Sequence, residues 1–436
     1  MDYLKQLAKK TLQYQAKLVL KKYKPKVIAI TGSVGKTLTK DAIYNVLSKK
    51  YFVRKSEKSF TAELGIPLTI IGCHDGVGRI GQLIENILLG LFIILKRTPY
   101  PQWLILEIDG DKPGDFGLVS KYLSPDILVM TAIGDVPSHI ELFYDIETFV
   151  SEKKMLIDSV KSNGLIVYNS NDQLVTHLLA NTDIEKISCG VGGDSDIVAT
   201  DFDILYGNGK VGSIPTGMSF ELKEKESREK FNINIFDSIG VQNEYATILA
   251  YAVGKFLGIE KRDIVKVLNK TSPTPGRMNL VPGIKDTLII DDSYNASPIA
   301  MSQAIEVLKN IKSVEKKVVV VGDMLELGRY SAVEHRRVAE QLNGVATDVI
   351  CVGFRSRKIV EELLNLGFPE SKINSYDTSE EVGSYLQNMI SEGDIILVKG
   401  SQAMRMEKVV EEIMKYPQDK RKVLVRQEDE WLSRTQ

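Results

Sequence analysis

Short apolar runs rich in β-branched residues alternate with longer helical patterns along most of this 436-residue sequence. In the first half, each run is bounded by turn residues or charges, as central parallel strands are. These runs are Val27–Thr31, Leu104–Ile108, Ile127–Thr131 and Leu165–Tyr168. Helical patterns lie between them at Lys36–Leu47 and Ile146–Val160. The alternation predicts a doubly wound α/β domain with a mainly parallel sheet.

A second series of strands begins after Thr271–Gly276, a segment with two prolines and a glycine that has the composition of a hinge. Its predicted strands are Thr287–Ile290, Lys317–Val321, Asp348–Val352 and Asp394–Val398. The apolar residues from Ala300 to Ile311 have the spacing of a helix that buries one face. We therefore predict a basic N-terminal helix at 1–24, a central domain at 25–272 and a smaller Rossmann-like α/β domain at 273–436.

Charge and cysteine content narrow the possible functions. Lys plus Arg number 56 against 57 Asp plus Glu, so no overall field attracts nucleic acid, and an anionic ligand must be met by a local site. The cysteines Cys73, Cys189 and Cys351 have neither disulfide-type nor zinc-type spacing, which fits a reducing compartment. We expect a cytoplasmic protein without nucleic-acid partners.

Two segments could contact a membrane. The first 26 residues carry eight lysines and one acid, and four residues, Leu4, Leu7, Tyr14 and Leu18, could line one helical face. Ile87–Leu95 is apolar, but it is far shorter than the about 20 residues that span a bilayer. Two interpretations stay open: helices packed on the protein surface, or peripheral attachment of the kind that basic amphipathic helices make. No transmembrane segment is predicted.

The sharpest local signal is Thr31-Gly-Ser-Val-Gly-Lys-Thr37, between a predicted strand and a predicted helix. Glycines let backbone N–H groups approach phosphate oxygens, and a helix N-terminus adds favourable partial charge. Lys36 would neutralise the phosphates, and the Thr37 hydroxyl could bind Mg²⁺. The alternative is a tight turn with an incidental lysine. We predict a P-loop that binds ATP through Gly32, Ser33, Val34, Gly35, Lys36 and Thr37.

Further motifs follow this loop, which is shorter than the generic GxxxxGK[ST] pattern. They occupy residues 104–115, 134–141, 151–156, 240–245, 275–278, 291–298, 322–328 and 399–405. In this order they resemble the Mur ligase family of bacterial cell-wall synthesis, from about Lys26 to Trp431. The runs Gly-Asp-Met-Leu-Glu-Leu-Gly and Val-Lys-Gly-Ser resemble the branch of the family that adds D-alanyl-D-alanine.

The resemblance implies a Mg²⁺ site and a modified lysine. Glu107 and His139 correspond to metal ligands of the family, as does Thr37 in the loop. Lys153 corresponds to a lysine that the family carbamylates, which turns an ammonium into a carboxylate-like anion. Its neighbour Lys154 leaves the alignment open by one position.

The resemblance also implies nucleotide and substrate contacts. Asn243 corresponds to an asparagine that bonds adenine, since an amide both donates and accepts. Arg277 is expected to reach the ATP phosphates when the domains close, and Asp292 to contact the ribose. Substrate contacts are expected from Thr61, Asn295, Lys399 and Ser401. The expected catalytic residues are Lys36, His139, Lys153 and Arg277.

The implied activity is an ATP- and Mg²⁺-dependent ligation that releases ADP. It would join D-alanyl-D-alanine to a UDP-N-acetylmuramoyl-tripeptide through an acyl phosphate, so the partners are small peptide and nucleotide-sugar substrates, and we expect a monomer. Two alternatives stay open. The same chemistry could act on another peptide or a lipid-linked acceptor, or the chain could be a non-catalytic ATP-binding scaffold.

The sequence departs from the family pattern in places that concern the substrate more than ATP. About 30 residues precede Gly32, too few for the N-terminal domain with which Mur ligases grip the uridine nucleotide. We therefore expect UDP to be bound weakly, by another protein, or not at all. Asp109 stands where a glycine is usual, and Thr61 stands in a position usually held by one of two paired asparagines.

Overall fold

The computed structural model describes residues 2–56, 64–73, 80–110, 112–208, 213–312 and 316–432. Its first half is built mainly from alternating strands and helices. The helices are α1 (Asp2–Tyr23), α2 (Lys36–Leu47), α3 (Gly65–Ile71), α4 (Ile80–Leu95), α5 (Asp115–Ser120), α6 (Ile146–Asp158), α7 (Gln173–Leu179), α8 (Val241–Phe256) and α9 (Lys261–Leu268). The strands are β1 (Lys26–Thr31), β2 (Val53–Lys55), β3 (Trp103–Glu107), β4 (Ile127–Met130), β5 (Leu165–Asn169), β6 (Glu185–Val191), β7 (Ile197–Asn208), β8 (Ser213–Glu224) and β9 (Lys230–Phe236).

These strands form one sheet in the order β2-β3-β1-β4-β5-β6-β7-β8-β9. Neighbours from β2 to β7 pair in parallel, whereas β7, β8 and β9 pair antiparallel. Because β1 lies between β3 and β4, the strand order reverses beside β1. Open α/β sheets bind ligands at the carboxyl ends of strands at such a reversal. Ile30 pairs with Glu107 there, and Thr31 pairs with Met130.

The second half forms a smaller sheet in the order β10-β11-β15-β12-β13-β14. Its strands are β10 (Asn279–Pro282), β11 (Leu288–Asp292), β12 (Lys317–Gly322), β13 (Asp348–Val352), β14 (Ile373–Tyr376) and β15 (Ile395–Lys399). Its helices are α10 (Pro298–Asn310), α11 (Ser331–Leu342), α12 (Arg357–Asn365), α13 (Glu380–Met389), α14 (Glu407–Ile413), α15 (Lys420–Val423) and α16 (Asp429–Leu432). Only β10 pairs antiparallel within this described sheet.

The predicted fold class, a mainly parallel α/β sheet followed by a smaller α/β sheet, is confirmed. The predicted strands that became β1, β3, β4 and β5 agree with the structure to within one residue at each end, and α2 has the predicted bounds. These strands are buried, so their sequence signal is a continuous apolar run. The sequence patterns did not predict the antiparallel strands β7, β8 and β9.

The N-terminal helix α1 packs on the protein through α3 and α4. Leu12, Ala16 and Val19 are buried in the core, while Gln15 Nε2 donates to the Ile87 carbonyl at 2.9 Å. Lys22 Nζ donates to carbonyl groups at the C-terminal end of α4. This contact is favourable because a cation lies at the negative end of the helix dipole. Within the described residues, no helix is long and apolar enough to cross a bilayer.

Candidate active site

The glycine loop joins β1 to α2 at the carboxyl edge of the large sheet. Gly32 has a φ of 148°, and a Cβ there would lie only 2.0 Å from Thr131 Oγ1, so the position requires glycine. Gly35 has a φ of 87° and directly precedes α2. The Ser33 N–H donates to the Ala132 carbonyl at 2.6 Å, which fixes the loop against the end of β4. The first N–H groups of α2 thus form an anion-binding helix end.

Four side chains converge beside the loop. Lys36 Nζ lies 2.8 Å from the Gly32 carbonyl oxygen and 3.2 Å from a carboxylate oxygen of Asp109. Thr37 Oγ1 donates to Glu107 Oε1 at 3.1 Å. The register between β1 and β3 therefore brings the loop hydroxyl and the Glu107 carboxylate together, as expected for two ligands of one metal ion.

A buried lysine holds the Glu107 carboxylate. Lys40 Nζ lies 3.0 Å from Glu107 Oε2, and both side chains are almost fully buried. Burial alone would raise the pKa of Glu107, but the ammonium groups of Lys40 and Lys36 outweigh it and hold that pKa below its usual value. Glu107 is therefore an anion at neutral pH, available to a cation in the cavity.

Asp109 adds a second carboxylate to this wall. Burial would raise the pKa of Asp109, but Lys36, His139 and Lys153 lower it further than burial raises it. The residue that replaces the usual glycine is thus ionised and paired with the lysine that would meet the phosphates. A phosphate group bound by Lys36 would compete with Asp109 for that lysine.

The donor atoms fit a Mg²⁺ ion that is shared with a nucleotide. Mg²⁺ prefers oxygen ligands and is usually bound by one or two carboxylates with substrate phosphates and water. Thr37 Oγ1 and the Glu107 carboxylate provide such oxygens. Across the described part of the chain, no three His, Cys, Asp or Glu side chains are grouped to hold a metal alone.

Lys153 and Lys154 lie in opposite environments on α6. Lys153 is 2% exposed, and its Nζ donates to Thr31 Oγ1 at 3.1 Å, at the end of β1. The same ammonium lies 4.6 and 4.9 Å from the ring centres of Phe116 and Phe149, a favourable cation–π arrangement. Lys154 is exposed. Lys153 is therefore the lysine of this pair that faces the loop.

The opposite wall of the cavity comes from the smaller sheet. The cavity has a volume of about 480 Å³. Its lining includes Lys36, Glu107, Asp109, His139, Arg277, Asp292, Tyr294, Asn295, Glu326 and Lys399. Cationic and acidic groups of both halves thus face one space of the size of a small-molecule site.

Asp292 and Lys399 form a buried ion pair on that wall, with Nζ 2.6 Å from Oδ2. The Met278 N–H donates to the other carboxylate oxygen of Asp292 at 3.2 Å, and Lys399 Nζ also donates to the Asn295 carbonyl at 2.9 Å. Arg277, whose guanidinium stacks 4.0 Å from the centre of the Tyr294 ring, is aimed into the cavity by this stacking.

Two predicted residues lie away from this cavity. Ser401 is buried, and its Oγ accepts from the Leu325 N–H at 2.8 Å, so it supports the loop that carries Glu326. Asn243 lines a separate small cavity together with Thr271–Thr274, and its Nδ2 donates to Ser238 Oγ at 3.0 Å. Thr61 lies outside the described residues.

The two halves touch across the cavity. His139 Nδ1 and Glu326 Oε2 lie 2.5 Å apart, and the Glu141 N–H donates to the Glu326 carbonyl at 3.0 Å. A hydrogen bond from His139 lowers the pKa of Glu326. Gly134 packs against Ile299 of α10. The molecule is therefore closed over the predicted phosphate site.

Sequence reasoning missed Lys40 and Glu326. Lys40 lies one helical turn after Lys36 on α2, a spacing that puts both lysines on the same face and could have drawn attention to it. Glu326 lies in a motif that was recognised, but its contact with His139 depends on how the two halves meet. No local pattern encodes that contact.

Comparisons with known proteins identify the family. Residues 30–251 match the Mur ligase middle domain, and residues 276–402 match the Mur ligase glutamate ligase domain. The chain is 28% identical over 406 residues to the UDP-N-acetylmuramoyl-tripeptide–D-alanyl-D-alanine ligase of Bacillus subtilis, covering 93% of this chain and 79% of that protein.

Solved structures have the same fold. The MurF ligase of Thermotoga maritima, crystallised with ADP, superposes with a TM-score of 0.74 at 26% identity, covering 95% of this chain and 84% of that one. A MurF structure from Acinetobacter baumannii, at 23% identity, gives a TM-score of 0.71 over 93% of this chain and 79% of that one. The chain belongs to the Mur ligase family.

Proposed function

We propose that this protein is an ATP-dependent ligase that joins D-alanyl-D-alanine to a UDP-N-acetylmuramoyl-tripeptide and releases ADP and phosphate. The observation that carries the proposal is the cavity in which Lys36 and Glu107 of one half face Arg277 and Lys399 of the other. The likeness to the B. subtilis ligase supports the choice of substrates. The ADP complex of the T. maritima relative supports adenine nucleotide as the phosphoryl donor.

The reaction must bring two anions together. A carboxylate is a poor acyl donor, so the γ-phosphoryl group is transferred from ATP to it, breaking the bond to ADP and forming an acyl phosphate. The amine then attacks the acyl carbon, and phosphate leaves. Lys36 on one wall and Arg277 on the other neutralise charge that develops between donor and acceptor. Holding both reactants in one closed cavity supplies the orientation.

Mg²⁺ would be held by Thr37 and Glu107, with His139 and a carbamylated Lys153 as further ligands, and would stabilise charge on the transferred phosphoryl group. Burial of Lys153 beside Thr31 favours it over Lys154 for carbamylation. Lys40 keeps the Glu107 carboxylate ionised and in place. Asp109 lies beside Lys36 until phosphate binds.

Adenine is assigned to the neighbourhood of Asn243, where the gap between α8 and the segment Thr271–Thr274 has a volume of only about 20 Å³ and must widen to admit a base. A larger cavity of about 850 Å³ adjoins this segment and shares Asp41 and Ser272–Thr274 with it. The adenine would thus lie next to the joint between the proposed domains 25–272 and 273–436. Nucleotide binding and domain closure are linked in this arrangement.

Lys399 and Asn295 are assigned to substrate binding, and Lys399 would bind a substrate carboxylate. Asp292 would then leave its ion pair with Lys399 and accept a hydrogen bond from the ribose of the nucleotide. We place Ser401 as a support of this wall, since its hydroxyl already accepts from Leu325. The protein is proposed to act as a cytoplasmic monomer, in keeping with three cysteines that form no disulfide.

The function is tested by incubating the purified chain with ATP, Mg²⁺, UDP-N-acetylmuramoyl-tripeptide and D-alanyl-D-alanine, and measuring ADP and pentapeptide product together. We expect equal amounts of both, and neither when one substrate is omitted. If ADP is released only with a different carboxylate substrate, the protein carries out the same ligase chemistry on another acceptor. Nucleotide binding without turnover on any acceptor would make the chain a scaffold.

A further inference from the structure

The helix α4 exposes a continuous apolar stripe. Its members are Ile84, Leu88, Leu91, Phe92 and Leu95, which are between 46% and 74% exposed. Their spacing of four, three, one and three residues places them on one face of the helix. Single exposed apolar residues are ordinary, but five on one helical face form a patch of the kind that marks an interaction surface.

The reverse face of α4 is fixed to the protein. Leu83 and Ile93 are buried, and a Cβ at Gly90 would lie only 2.3 Å from Gln15 Oε1, so α1 approaches α4 closely there. Gln15 and Lys22 of α1 hydrogen-bond to α4 carbonyl groups. The apolar stripe is thus presented by a helix held in position, on the same sheet domain as the glycine loop.

The charge around the stripe is positive. Within α4 the only acidic residue is Glu85, and the exposed residues Lys96 and Arg97 follow the helix directly. The packed helix α1 adds exposed Lys10, Lys17 and Lys21. The chain as a whole has a net charge of −1, so this basic cluster is local.

We propose that α4, with the lysines of α1, docks on the surface of an anionic lipid bilayer. An apolar stripe that ends at Lys96 and Arg97, on a helix packed against the lysine-rich α1, matches an interface in which apolar side chains enter the acyl boundary and cations meet phosphate headgroups. A second copy of this chain would bring two sets of these basic residues together, which repel one another. With 16 residues, α4 lies on the bilayer and does not cross it.

The proposal assigns the membrane contact to α4 more than to α1. The apolar residues Leu12, Ala16 and Val19 of α1 are buried inside the protein and cannot reach a lipid surface. The exposed side chains of α1 are mainly lysines, together with Leu7 and Tyr14. The two segments that the sequence offered separately as membrane candidates pack against each other.

The test is sedimentation of the full chain with vesicles of phosphatidylcholine alone and of phosphatidylcholine mixed with phosphatidylglycerol. We expect binding to the mixed vesicles that weakens with added salt, and little binding to phosphatidylcholine. The variant Leu88→Glu/Phe92→Glu should lower partitioning about a hundredfold, roughly tenfold for each side chain withdrawn. The matched variant Phe354→Glu/Leu364→Glu, which changes exposed residues of the smaller domain, should bind like the unchanged protein.

A second variant keeps the surface apolar. Leu88→Trp should show a blue-shifted emission and quenching by brominated lipid when mixed vesicles are added. Thermal melts confirm that each variant is folded. Absence of binding, equal binding to both vesicle types, or an unchanged Leu88→Trp spectrum would overturn the proposal. A dimer that Leu88→Glu/Phe92→Glu dissociates in sedimentation velocity would overturn it in favour of a second copy.

Discussion

Adjacent lysines on α6 separate a functional position from a surface position. Lys153 is buried between two phenylalanine rings and bonded to Thr31, while Lys154 faces solvent. Only Lys153 can influence the loop and Asp109. The sequence alignment with the family leaves the choice between Lys153 and Lys154 open. Burial favours Lys153, the position that the family resemblance suggests.

Replacement of each lysine by alanine should separate these roles. Lys153→Ala removes the buried ammonium beside Asp109, which is also the proposed carbamylation site, so we expect the rate of ADP release to fall at least about a hundredfold. Lys154→Ala should keep nearly full activity. The measurement is steady-state ADP release at saturating Mg²⁺ with both purified variants. Equal loss in the two variants would contradict the assignment of Lys153.

Lys36 is the second residue with a sharp expectation. Lys36→Ala removes the ammonium group that we propose meets the transferred phosphoryl group, and we expect turnover to fall by about a thousandfold or more. The fold should persist, because Gly32 and Gly35 set the loop geometry. The matched variant Lys121→Ala, at an exposed position after α5, should turn over normally. Normal turnover of Lys36→Ala would refute the phosphate-loop assignment.

Among the elements, helix α8 is mostly buried and carries a buried carboxylic acid. Glu244 is 2% exposed, and burial raises its pKa to about 7. The folded state thus holds a proton that the unfolded state releases near its ordinary pKa of 4.5. The contribution of this proton to the free energy of unfolding is fully present below pH 4.5 and is lost as the pH rises through about 7.

Glu244→Gln should remove that pH dependence. Between pH 6 and pH 8 the unchanged protein should lose part of a total of roughly 3 kcal/mol of unfolding free energy, and the Glu244→Gln protein should lose much less. Urea unfolding at several pH values measures the difference. Glu185→Gln, at an exposed strand position, serves as the control and should follow the unchanged protein. Parallel curves for all three proteins would show that Glu244 titrates normally.

Elements with a single local signal were predictable, and elements defined by partners were not. The strands β1 and β4 are continuous apolar runs, and α2 begins directly after a glycine loop, so chain-local patterns determine them. By contrast, β7 and β8 are long strands that mix buried residues with more exposed ones, and their antiparallel pairing is decided by tertiary contacts.

The site divides in the same way. Thr37 and Glu107 were found because each stands at a recognisable end of a strand or loop, and the sheet register then joins them. The buried ion pair of Lys40 with Glu107 depends on how α2 packs against the sheet. The support that Ser401 gives to Leu325 joins residues 76 positions apart. A motif identifies such residues but does not say what they contact.

For the whole molecule, the ion pair between His139 and Glu326 is one of the contacts that close the cavity. Glu326 is half exposed, so its ion pair with His139 is worth at most about 1 kcal/mol. Apolar contacts such as that of Gly134 with Ile299 also join the two halves, so this ion pair is one of several contacts that hold them together.

Glu326→Ala should shift the closed arrangement toward an open one about fivefold at most. Small-angle X-ray scattering without nucleotide should show a larger radius of gyration, and ADP with Mg²⁺ should restore most of the compact form. Glu340→Ala, at an exposed position on α11, should leave the scattering unchanged. A Glu326→Ala protein as compact as the unchanged one would mean that other contacts hold the halves together.

The central claim is that ATP phosphorylates a substrate carboxylate between Lys36 and Arg277. It is tested most directly with UDP-N-acetylmuramoyl-tripeptide labelled with ¹⁸O in its terminal carboxylate, D-alanyl-D-alanine and ATP. The account predicts that phosphate released during turnover carries one ¹⁸O atom from the carboxylate, because the acyl phosphate breaks at the acyl carbon. Product formation with unlabelled phosphate would contradict it.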